Sequence, residues 1–109
     1  MKTFFIIAVA VLVTGCSGLI QTGTVSRAYE SFSEKDYTTA LEMISLAQKV
    51  QQMTPELEAE LSFLKGRTYA ALGEDEKSEE IFRALVATHQ NTEHGYLASE
   101  RLAQAAQDD

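Results

Sequence analysis

From Val25 onward, apolar residues recur every three to four positions, and no run alternates apolar with polar in the way a half-buried strand requires. The fold class this predicts is all-α. Val25, Ala28, Tyr29 and Phe32 stand at i, i+3, i+4 and i+7, a narrow stripe on a first helix that should end near Lys35. Asp36 is placed to cap a second helix reaching about Met53. That helix carries two stripes, Tyr37, Ala40, Leu41, Ile44 and Ala47, then Met43, Leu46, Val50 and Met53. At about 100° per residue they cover roughly two thirds of the circumference, so this helix should be sandwiched between neighbours. Thr54 before Pro55 marks the next start, since threonine caps free amides and proline at the first helical position forfeits no hydrogen bond. The third helix runs through Leu57, Leu61, Leu64, Tyr69 and Leu72 to a stop at Gly73. Glu74 or Asp75 opens a fourth, with Ile81, Phe82, Leu85 and Val86 facing inward. His89-Gln90-Asn91-Thr92 breaks the rhythm. A last helix carries Tyr96, Leu97, Leu102 and Ala105, and its weaker apolar face suits a terminal cap.

The N-terminal stretch follows another logic. Lys2 supplies a positive start, Phe4 to Val13 an apolar segment about ten residues long, and small residues follow, the pattern of a secretory signal too short to span a bilayer. Val13-Thr14-Gly15-Cys16 resembles the bacterial lipoprotein lipobox. The resemblance implies cleavage before Cys16, a diacylglycerol on its thiol and an acyl chain on its amine. It implies no other cofactor. Ser17, where an aspartate favours retention at the inner membrane, points to the outer membrane and its periplasmic face. Acyl chains contribute about 0.8 kcal/mol per buried methylene, so they anchor the chain without a membrane-spanning helix. Cys16 is the only cysteine, which excludes a disulfide within the chain. The expected organisation is a signal at 1–15, a lipidated tether at 16–23 and a helical domain at 24–107. At roughly 3.3 Å per residue the tether holds that domain only about 20 to 25 Å from the lipid.

Within the helical region, Gly66, Tyr69, Gly73, Ser78 and Phe82 have spacings that resemble the tetratricopeptide repeat (TPR), a helical hairpin with small residues at its crossings. Leu85 is larger than the alanine usual at its position. An earlier hairpin matches through Ala28, Tyr37, Ala40, Ile44 and Ala47, with Lys35 where the turn glycine belongs. The small pairs Ala28 with Ala40 and Gly66 with Ser78 are both twelve apart, and the two hairpins repeat at 38 residues rather than 34. The resemblance implies a short solenoid of antiparallel hairpins, two repeats plus a C-terminal capping helix. Glycine inside a helix costs about 1 kcal/mol against alanine, so Gly66 marks a close crossing on physical grounds as well.

Charge and motifs restrict the chemistry. The formal net charge is −7, and removing residues 1–15 takes away Lys2 and leaves 94 residues at −8. An acidic domain lacks the basic stripe of a nucleic-acid binder and has no electrostatic attraction to anionic lipid. Five carboxylates lie between Glu74 and Glu80, without the alternating spacing and turn glycine of a calcium loop; a solvated helix start accounts for them. His89 and His94 flank Glu93 but are five apart, which does not place them on one helix face as paired metal ligands, so they are expected as solvated loop histidines. No nucleophile elbow or phosphate loop occurs. The expectation is therefore not an enzyme and no metal.

Members of the repeat family bind peptides or proteins on the face lined by the first helix of each hairpin. Carried over, that lining is Val25, Tyr29 and Phe32 with Phe63, Arg67 and Ala70; core packing explains the aromatics Tyr29 and Phe63 equally well. The expected function is a lipid-anchored adaptor or assembly factor for envelope proteins. A pilotin-like accessory of a secretion or pilus complex is a narrower alternative, and an envelope enzyme or metal carrier using His89, Glu93 and His94 is one of another class. Two repeats bury little alone, so the expectation is either self-association or pairing with a larger repeat protein.

Overall fold

Thr54 shows how locally the first decisions are made. Its backbone is extended (φ −66°, ψ 154°), as the residue before proline must be, and its hydroxyl accepts the Leu57 amide, so a helix starts at Pro55. A computed structural model describes residues 23–49 and 53–107, and these form helices joined by short turns, with no strand among the described residues. Helix α1 covers residues 23–33, α2 Tyr37–Lys49, α3 Pro55–Ala71, α4 Asp75–Thr88 and α5 Glu93–Gln107. No helix among the described residues is long and apolar enough to cross a membrane. The expected signal and the expected tether up to residue 22, Cys16 included, lie outside the described residues, as does Val50; Gly23, expected as the end of the tether, is the first residue of α1.

Lys35 and Gly73 occupy equivalent turns. Both are left-handed, at φ 65° and φ 80°. The Lys35 and Asp36 amides donate to the carbonyls of Phe32 and Ser31, and the Gly73 and Glu74 amides to those of Ala70 and Tyr69. Each pair of bonds closes a helix by the same motif, 38 residues apart. In the first turn the Asp36 carboxylate also accepts the Thr39 amide at 3.3 Å, the cap its sequence position predicted. Contacts between Tyr69 and Lys77, Gly66 and Phe82, and Glu58 and His89 run in opposite chain order, so α3 and α4 are antiparallel.

Two clusters make the core. Ala28, Ile44, Ala47, Leu61 and Leu64 join α1, α2 and α3, while Ala59, Phe82, Leu85 and Ala98 join α3, α4 and α5. Helix α3 therefore serves both, packing against α2, α4 and α5, and its buried residues are spread around its circumference. This corrects the expectation that the second helix is the sandwiched one: Leu46, on its second stripe, is 49% exposed. Met53 lies outside the helix, where Thr54 and Pro55 impose an extended approach, yet still packs on the first cluster. Leu72 and Tyr96, also expected inside, are exposed, Leu72 because it sits at the C-cap of α3. Helix α5 instead buries Gly95 and Ala98 and leaves Leu97, Leu102 and Ala105 half-buried. Thr68, a polar residue in the core, donates its hydroxyl to the Leu64 carbonyl at 2.7 Å.

Candidate partner-binding surface

The six lining candidates separate into two groups. Val25, Tyr29, Phe32 and Arg67 meet where α1 crosses α3. Val25 and Phe32 pack as half-buried walls on the first core cluster. Phe32 meets Tyr37 edge-on, with ring centroids 5.6 Å apart, and the Arg67 guanidinium lies 4.7 Å from the Phe32 centroid. Tyr29 reaches across to α3 and donates its hydroxyl to Glu60 Oε1 at 2.6 Å. Burial pushes its phenol well above the ordinary range; the hydrogen bond to Glu60 and that residue's negative charge add to the shift, and Arg67 opposes it.

Phe63 and Ala70 share one stripe of α3 with Arg67, at i, i+4 and i+7, but neighbour α4 and α5 residues instead of α1. Phe63 is half-buried on the second cluster, with Phe82 at 5.5 Å and His94 at 5.6 Å between ring centroids. Ala70 is exposed on the rim of a cleft of about 320 Å³ whose walls include Asp75, Ser78, Phe82, Arg101 and Leu102. Val25, Phe32 and Phe63 thus belong mainly to core packing, whereas Tyr29, Arg67 and Ala70 remain accessible.

The repeat positions gather at the crossings. Ala28, Ala40 and Ala47 are fully or almost fully buried, and so are Gly66, Ser78 and Phe82. Tyr69 is half-buried, its ring 5.4 Å from the Lys77 ammonium. A Cβ on Gly66 would stand 2.5 Å from Phe82 Cε1, so the close crossing is made against that ring.

The histidines are not solvated loop residues. His89 caps the C-terminus of α4, with its side chain 16% exposed and Nε2 3.6 Å from Glu58 Oε2, and His94 packs against Phe63 with the rings tilted at 54°. The His89 carbonyl accepts both the Thr92 amide and hydroxyl, which folds the 89–92 connection back against α5. Thr92 in turn accepts the Gly95 amide at 3.0 Å, an N-cap that the sequence reading missed along with Gly95 itself. The available signal was the same as at Gly66, a glycine inside a helical segment. No group of three or more His, Cys, Asp or Glu side chains is placed to hold a metal ion among the described residues. In the acidic run, Glu74 pairs with Lys77 at 3.5 Å and Glu79 with Arg83 at 3.2 Å, both on the surface. Glu60, the partner of Tyr29, was also missed, because a pairing 31 residues apart leaves no local trace.

No protein-family model matches the chain, and no curated protein or solved structure shows a significant match to it.

Proposed function

We propose that the chain is a lipoprotein of the bacterial outer membrane whose TPR-like helical domain binds other envelope proteins on its α1–α3 face. The observation that carries this reading is the 38-residue equivalence: the same turn motif at Lys35 and Gly73, and buried small residues at Ala28, Ala40, Gly66 and Ser78. Stacked hairpins of this kind bury one another and leave an extended helical surface whose business is binding. Tyr29 and Arg67 are the accessible members of that surface. The anchor is Cys16, whose thiol takes a diacylglycerol, after which residues 1–15 are removed and the freed amine is acylated. The role is adaptor or assembly factor, with no bond made or broken.

Expression of the full chain in a Gram-negative host with labelled palmitate tests the anchor. Label should enter the protein and fractionate with the outer membrane, and Cys16→Ser should remove it. A soluble, unlabelled wild-type protein would overturn this part of the reading. Photo-crosslinkers at positions 29 and 70 test the adaptor role. They should capture one defined set of envelope proteins that a crosslinker at exposed Glu76 does not capture. Identical capture from all three positions would count against a specific docking face.

A further inference from the structure

Resting on the reading of the α1–α3 face as a docking surface, we propose that Arg67 receives a single acidic side chain from the protein that docks there. Arg67 is half-buried, with its guanidinium held over the Phe32 ring at 4.7 Å. This cation–π contact orders the group, and no hydrogen bond or ion pair among the described residues engages its N–H donors. The ion pairs among the described residues engage Lys77, Arg83 and His89, and no described carboxylate lies within pairing distance of Arg67. Glu60 is on the same helix two turns away, but its Oε1 is held by the Tyr29 hydroxyl at 2.6 Å. Across the α1–α3 crossing Glu60 is thus engaged by Tyr29, while Arg67 meets an aromatic ring and no carboxylate among the described residues.

The result is a pre-ordered cation on a chain of net charge −7, set beside two aromatic rings. Its complement is a carboxylate. One carboxylate fits better than an acidic run, because Glu60 repels a second negative charge on this face. A side chain fits better than a chain end, since its methylene stem can lie along Phe32 and Tyr29 while the oxygens take the guanidinium edge bidentately.

The test is capture of the full lipidated chain, in detergent micelles, on arrayed octapeptides in four matched forms. These are amidated peptides with one Glu beside Leu or Phe, the same with Gln, the same with Lys, and the Gln form ending in a free carboxylate. The Glu form should be captured about tenfold better than the Gln form, equivalent to roughly 1.4 kcal/mol. Arg67→Gln should erase that preference and Arg67→Lys should keep part of it, with thermal melts confirming that both variants fold. Equal capture of Glu and Gln forms, or a preference that survives Arg67→Gln, would overturn the assignment. Preference for the free chain end would overturn the side-chain occupant. Capture indifferent to charge but weakened by Tyr29→Ala would overturn the arginine assignment while leaving the docking face standing, and no capture in any arm would overturn both.

Discussion

Gly66 sets two physical effects against each other. Helix propensity alone favours alanine there by about 1 kcal/mol. A Cβ would lie 2.5 to 3.0 Å from three carbons of the Phe82 ring, which is buried and braced by Phe63. Overpacking of that kind costs about 1 to 3 kcal/mol and should win. Gly66→Ala is thus expected to lower the urea midpoint, and Gly66→Leu to lower it further; a wild-type midpoint for the leucine variant would show that Phe82 moves aside freely. Gly95 is tighter still, because its Cβ would overlap the His89 carbonyl, a backbone atom that cannot rotate away. Gly95→Ala should destabilise at least as much and, by opening the 89–92 connection, speed amide exchange at Thr92. Tyr29 carries the pH dependence. Its folded phenol titrates above the unfolded value of about 10, so the folded state holds the proton more tightly. The stability it contributes is complete below pH 10 and declines as the pH rises toward the folded value. Urea midpoints of wild type and Tyr29→Phe should therefore differ by a constant amount near neutrality and converge above pH 10.

Among the elements, the two turns make opposite predictions from the same geometry. Lys35 is a side-chain-bearing residue at φ 65°, whereas Gly73 has φ 80° and no Cβ to strain. A left-handed conformation costs an ordinary residue about 1 to 2 kcal/mol, partly offset by the extra freedom glycine has when unfolded. Lys35→Gly should raise stability by about 1 kcal/mol and Gly73→Ala lower it by a similar amount, measured by thermal or urea unfolding. Helix starts were legible for local reasons: Asp36 and Thr54 cap with their own side chains, and Pro55 fixes its neighbour. Helix faces were less legible. Leu46, Leu72 and Tyr96 satisfy the periodicity yet are exposed, because a stripe predicts which residues share a face and not whether a neighbour covers it.

For the whole molecule, the decisive fact is that both core clusters share α3. Neither hairpin keeps its core if that helix melts, so the described domain should unfold as one cooperative unit. Ile44→Ala, in the first cluster, is expected to cost about 2 to 5 kcal/mol and to move a single calorimetric transition downward. Two separated transitions would show that the hairpins fold independently. The candidate surface depends on the same scale, since Tyr29 with Glu60 and Phe32 with Arg67 join residues more than thirty positions apart. The all-helical class, the caps at Asp36 and Thr54 and the stops near Lys35 and at Gly73 were written in the sequence alone, because each follows from side chains acting on backbone within a turn or two. Tertiary structure alone decided that α3 is the central helix, that both histidines pack inward, and that Tyr29 occupies Glu60 while Arg67 is left on a ring. Those outcomes depend on which surfaces meet across distant segments, and periodicity along a chain carries no record of that.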